Sequence, residues 1–227
     1  MSELWKTLQM IQISDSLFPI GAYTLSNGLE TFVLEGKLRT ESELETYVNR
    51  YLDILPYNDL GVMLLACQNA EDESYIRRLD AYSMALKVPS EVRTGSKKLC
   101  RRFLKIWKSL EDYPHTANYQ MEIQKKHLQG NHAIAVGLYA ADLGMKMEDS
   151  AGIYAYSLVN AIITNAVKTI PLSQMAGQDI LHRALERIPD CVEIGMTMTM
   201  EALGVGGTEF DIGAMNHEYL YSRLYMS

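Results

Sequence analysis

From Ser150 to Val167 the chain carries no Asp, Glu, Lys or Arg. A run of that length and apolarity belongs either in a bilayer or inside a folded protein. Ser157, Asn160, Thr164 and Asn165 decide between the two, because unpaired amides and hydroxyls are costly in lipid and ordinary in a core that supplies partners. The run is therefore expected to be a buried helix that ends at Lys168, a cation suited to a helix C-terminus. A helix buried over its whole length needs other helices around it, and no membrane partner is expected.

The rest of the sequence supplies those helices. Thr40 and Glu43 form a capping box, and Leu44, Tyr47, Val48, Tyr51, Leu52 and Leu55 follow at helical spacing until Pro56. Further helices are expected over Asp59–Asn69, Glu73–Leu86, Ser90 to about Leu110, Pro114 to about Gln129, and His132–Leu143. Pro171 is expected to open a helix running to Ile188, and Pro189 a last long one to Leu203. Ser26 is placed to cap a helix containing Leu29. Gly204, Gly206 and Gly207 read as a mobile linker before a terminal tail, residues 208–227. No alternating run bounded by turn residues suggests a strand. The expected fold is all-α: a single-domain helical bundle, residues 1–227, of about ten helices with short connections.

Composition narrows the function. The 227 residues carry a formal net charge of -7, which argues against nucleic acid as a partner. Three widely spaced cysteines, Cys67, Cys100 and Cys191, make no CxxC pair, and the first residues lack a basic start followed by an apolar run. Both point to a reducing, cytoplasmic setting.

Chemistry-bearing patterns are sparse. His127 and His132 flank Gly130 and do not share a helix face; His115, His182 and His217 stand apart. Ser14-Asp15-Ser16 has no nucleophile elbow around it, and the glycine cluster at 204–207 is followed by no GK[ST]. Met196, Met198 and Met200 spread round a helix and are expected in the core. No catalytic residue, resident metal or bound cofactor is expected.

Two regions suggest partners instead. Between Lys87 and Lys108 eight cations face a single acid, Glu91, and Arg93, Lys97, Arg101 and Lys105 recur every four residues as a stripe. Such a stripe is a solvated helix face or a docking site for an acidic partner. The tail carries Tyr219, Leu220, Tyr221, Arg223, Leu224 and Tyr225, and Tyr and Arg dominate binding hot spots. It reads either as a last helix folded onto its own core or as a segment that orders on a partner. On the second reading, removing everything after Gly207 abolishes complex formation and leaves the helical core intact.

Five segments look over-specified for packing alone: SDSLFPIGAYTLSNGLE (14–30), VRTGSKKLCRR (92–102), GNHAIAVGL (130–138), PLSQMAGQ (171–178) and MNHEYLYSRLYMS (215–227). In this order, across nearly the whole chain, they resemble the urease accessory protein family UreF. The chain departs from the family's usual pattern at Leu25 and Asn27, at Ser173 and at Lys168, where Arg is common. The resemblance implies a non-enzymatic, all-α, homodimeric assembly factor. It implies binding to UreD (also called UreH), recruitment of the GTPase UreG to apo-urease, and coupling of GTP hydrolysis to nickel insertion. Nickel would pass through the assembly as cargo; the alternative is a chaperone that binds nickel directly. Tyr219, Leu220, Tyr221, Arg223 and Leu224, with Lys168 and the Arg93, Lys97, Arg101 stripe, are the expected partner-binding residues. Lys168 or Arg223 would face the GTPase, Arg223 with a conceivable arginine-finger role. The small-residue helix at 130–143 and the long central helices are the candidate dimer seam.

Overall fold

The computed structural model describes residues 2–106 and 112–225. Lys108 and Leu110, where the basic helix was expected to end, and the last two residues of the tail lie outside the described residues. Among the described residues no strand occurs, and the chain is all-α. The helices are α1 (Glu3–Ser14), α2 (Leu29–Leu34), α3 (Glu41–Ile54), α4 (Asp59–Gln68), α5 (Glu73–Leu86), α6 (Ser90–Ile106), α7 (Pro114–Gln124), α8 (His132–Asp142), α9 (Met147–Thr169), α10 (Gln174–Leu185), α11 (Ile188–Met196) and α12 (Thr208–His217).

Local chemistry sets many of the starts. Side chains of Ser2, Thr40, Asp72, Asn131 and Ser173 each accept a hydrogen bond from a backbone N–H of the first turn they precede. At Thr40 the reciprocal bond from Glu43 completes the capping box. At α7 the cap comes from far away: Asp142 accepts from the backbone N–H groups of His115 and Thr116 at 3.0 and 2.9 Å.

The charge-free run forms most of α9, which packs against α1, α3, α4, α10 and α11. No described helix is long and apolar enough to cross a membrane. The most extensive pairing is α4 with α8. Gly137 allows it, since a Cβ there would lie 2.2 Å from the Met63 carbonyl oxygen. Every residue from Ala133 to Ala140 is buried. The helix expected as a dimer seam, 130–143, is thus largely buried within this chain, and α9 retains partly open positions at Gly152, Ile153, Ser157 and Ala161.

Several boundaries differ from expectation. α7 stops at Gln124 because Lys126 enters the left-handed region at φ 64°, well before Gly130. α10 begins after Ser173, not at Pro171; a capping hydroxyl outranks a proline that lacks an N–H to be capped. α11 ends at Met196, where Thr197 and Met198 turn back onto Ile194 and Gly195. Met196 is exposed, and Met198 and Met200 are only half-buried, so they are not core residues. Ser26 caps nothing; Gly28, at φ 91°, precedes α2, and a Cβ there would meet the Ala214 nitrogen at 2.6 Å.

The glycine segment is not a loose tether. Gly204 donates to the Tyr57 carbonyl at 2.7 Å, and its three glycines take left-handed φ values that turn the chain back. α12 then packs on α2 and α6. Phe210 joins an edge-on aromatic cluster with Tyr47 and Tyr51 at ring distances of 5.0 and 6.1 Å.

Candidate functional site

Two carboxylates organise the C-terminal region. Glu30, in α2, is 3% exposed. Glu91 sits in the first turn of α6, where an acid is favoured by the helix dipole. Between them lies His217, the last residue of α12, fully enclosed. Its Nδ1 is 2.6 Å from Glu91 Oε2 and its Nε2 is 3.0 Å from Glu30 Oε2. Both ring nitrogens thus lie within hydrogen-bonding distance of a carboxyl oxygen, one from each helix.

The chain beyond α12 returns to the same carboxylates. Arg223 donates from Nη1 to Glu91 Oε1 at 2.8 Å. The backbone N–H groups of Leu224 and Tyr225 donate to Glu30 at 2.7 and 3.1 Å. Tyr225 turns inward, and its hydroxyl donates to the Asn165 carbonyl at 3.1 Å. Asn165, itself buried, donates from Nδ2 to the Leu25 carbonyl at 3.0 Å. A second hydroxyl contact joins Ser90 to Glu218. The result is a clasp that ties the end of the chain to α2, α6 and α9.

The clasp sorts the tail residues by what they do. Tyr225 is an anchor. Tyr219 is 86% exposed, Tyr221 fully exposed and Leu224 76% exposed, while Leu220 is half-buried. Large aromatic and aliphatic side chains held outward on a pinned backbone lose little freedom when a partner covers them. Arg223 spends its guanidinium on Glu91. Lys168 is exposed in the last turn of α9, one turn beyond the Asn165 that receives Tyr225. The structure therefore brings the tail and Lys168 to one end of the molecule.

The cationic stripe divides. Arg93 donates to the carbonyls of Lys87 and Val88 at 2.6 and 3.1 Å, capping the end of α5. Arg102 similarly serves the Ile20 carbonyl at 3.0 Å. Lys97, Lys98, Arg101 and Lys105 make no ion pair among the described residues and stand at the surface, Lys97 in part. Lys97 and Arg101 thus form a free cationic face on the helix whose start carries Glu91.

Four of the five over-specified segments meet here or adjoin it. Glu30 ends the first, Glu91 immediately precedes the second, the PLSQMAGQ segment follows Lys168, and the tail is the fifth. GNHAIAVGL does not join them; it caps and builds the core helix α8. Sequence reasoning missed Glu30, Glu91, Asn165 and His217. The available signals were an acid embedded in the apolar run LETFVL and a lone acid in a basic helix. Among the described residues no group of three or more His, Cys, Asp or Glu side chains is placed to hold a metal ion.

Comparison with known proteins places the chain. The UreF family profile matches residues 38–185. The urease accessory protein UreF of Actinobacillus pleuropneumoniae serotype 5b (strain L20) is 36% identical over 221 residues, 96% of this chain and 97% of that protein. UreF of Haemophilus influenzae (strain PittGG) is 38% identical over 221 residues, covering 96% and 94% respectively. UreF of Streptococcus salivarius (strain 57.I) is 28% identical over 223 residues, covering 97% and 94%. With a family profile matching well over half of the chain and relatives 36% and 38% identical over 96% of it, the chain belongs to the UreF family of urease accessory proteins.

Proposed function

We propose that this chain is a scaffold for urease maturation: with UreD/UreH it recruits the GTPase UreG to apo-urease and couples GTP hydrolysis to nickel insertion, acting as a cytoplasmic homodimer. It holds no nickel itself and carries out no reaction; the metal is cargo of the assembly. One observation carries the reading. Tyr219, Tyr221 and Leu224 are held exposed on a tail that Glu30 grips at the backbone of Leu224 and Tyr225, presenting apolar and aromatic side chains to a partner. Lys97 and Arg101 along α6, with Lys168 in the last turn of α9, supply positive charge for acidic partners, which sets encounter rate and register more than affinity. Arg223 contributes by holding the tail in place through Glu91, in preference to reaching into a nucleotide site.

Truncation after Gly207 is a poor test, because it also strips Phe210 and His217 from their packing. The clean variant is the triple substitution Tyr219→Ser, Tyr221→Ser, Leu224→Ser in the full chain. Helical circular dichroism should be unchanged, and co-purification with UreD/UreH should be lost. Normal co-purification would remove the tail as the docking element. Direct nickel binding is checked by equilibrium dialysis of the purified chain; tight stoichiometric nickel would favour the chaperone reading.

A further inference from the structure

A cavity of about 130 Å³ lies between α3, the end of α5 and α12, under the glycine segment. One water needs only ~10–15 Å³ on the same measure, so the space admits a small chemical group. Two segments beside the clasp converge on it, through residues that the clasp does not use. Ser26 and Asn27 come from GAYTLSNGLE, and Gly204, Gly206 and Gly207 form part of the rim.

The wall has unmet polar capacity. Ser26 is 3% exposed, and its hydroxyl has no hydrogen-bond partner among the described residues. Such a group is costly to leave buried unless something binds it. The neighbouring Asn27 holds φ 51°, an uncommon conformation for a residue with a side chain. The charges do not cancel either. Lys87 pairs with Asp59 at 2.7 Å, leaving Asp211 on the wall with no hydrogen bond or ion pair from its carboxylate among the described residues. An acid in the first turn of α12 is favoured by the helix dipole. That accounts for its charge but not for its isolation, since Glu209 in the same turn pairs with Arg50 at 2.9 Å. Burial holds the Asp211 carboxyl above the ordinary aspartate range, and Lys87 at longer range offsets part of the shift. The remaining wall includes the rings of Tyr47, Tyr51 and Phe210. Aromatic faces attract cations, most strongly where water is excluded.

We propose that this cavity binds a primary alkylammonium group, with Asp211 as counter-charge, the Ser26 hydroxyl as a second acceptor and the aromatic wall around the alkyl stem. A cation of one charge balances the single unpaired acid. An anion would face Asp211, and a neutral alcohol would leave it uncompensated. The group has two sources: a free small amine, or a lysine side chain inserted by a partner protein.

The test is an NMR titration of the full-length protein with propylammonium, with 1-propanol as neutral control. Propylammonium should shift the amides of Ser26, Tyr51 and Asp211 saturably, at a dissociation constant of about 1 mM, the scale of a weak small-ligand site. Propanol should not. Asp211→Asn should weaken binding at least roughly tenfold, and Ser26→Ala by a few-fold. In the unsubstituted protein, binding should weaken as pH falls through the raised Asp211 titration, which keeps the test valid if a variant folds poorly. Equal binding of propanol, no saturation, or indifference to both Asp211→Asn and pH would overturn the proposal. A short peptide with a central lysine then distinguishes the sources: tighter binding than propylammonium assigns a partner's lysine, equal or weaker binding a free amine.

Discussion

Asp80 and Glu30 are both buried carboxylates that collect backbone N–H groups, yet they stabilise different kinds of segment. Asp80, 1% exposed in α5, accepts from the Tyr119 hydroxyl at 2.6 Å and from the N–H groups of Gln129 and Gly130 at 2.8 and 3.0 Å. Its partners lie in α7 and in a loop that leads straight into buried α8, so the network is covalently tied at both ends to the core. Glu30, 3% exposed in α2, accepts from the N–H groups of Leu224 and Tyr225 and meets His217 Nε2 at 3.0 Å, partners that belong to the C-terminal region. Losing the first network disorganises the centre of the bundle. Losing the second can release a short segment while the helices behind it stay packed, because local opening costs less than global unfolding. The same chemistry thus serves permanent architecture in one place and a presentable surface in the other.

Substitutions separate the two roles. Asp80→Ala should be the most damaging, at about 3–5 kcal/mol, because it leaves buried donors without a partner; chemical denaturation should show a cooperative transition at much lower denaturant. Glu30→Ala should cost about 2–3 kcal/mol, felt as loss of amide protection confined to 217–225, with co-purification with UreD/UreH lost. If Glu30→Ala lowers the global midpoint as much as Asp80→Ala, the clasp is architecture and the contrast fails. Tyr119→Phe removes one hydroxyl that donates to Asp80 and accepts from the Asn131 N–H at 2.8 Å. It should cost about 1–2 kcal/mol, measured the same way. Arg223→Ala breaks a pair whose arginine side chain is 41% exposed. It should change stability by less than about 1 kcal/mol, and hydrogen exchange should show faster opening at Leu224 and Tyr225 only. A larger loss would mean that Glu91 depends on Arg223 to hold His217.

Much of the helical layout was legible. The box at Thr40 and Glu43, the closure at Pro56 and the charge-free run through Val167 each correspond to local rules: a cap, a missing N–H, a segment with nothing to solvate. The boundaries that failed did so where two local signals competed, as at Pro171 and Ser173, or where a non-glycine residue took a left-handed turn, as at Lys126. The tail was legible as unusual and illegible as to form. Its Tyr and Arg residues announce contact area, but Tyr219 and Tyr225 look alike in a string of letters. One is exposed and the other anchored because of a carbonyl on α9 sixty residues away. α1 was not singled out from the sequence although Ser2 caps it and Leu4, Leu8 and Ile11 fall at helical spacing; those three side chains remain exposed.

What the amino-acid order alone determined was the class of object: an acidic all-α chain with several capped helices, a cationic stripe, and family motifs in sequence. These follow from interactions within a turn or two of chain, which residue spacing encodes directly. What only the tertiary structure decided was which polar and charged groups meet. His217 was one isolated histidine among five until folding set it between Glu30 and Glu91, and Asp211 was one acid among many until folding left it with no hydrogen bond or ion pair from its carboxylate among the described residues. Pairing across more than a hundred residues depends on how helices pack, and packing is a property of the whole bundle, not of any segment.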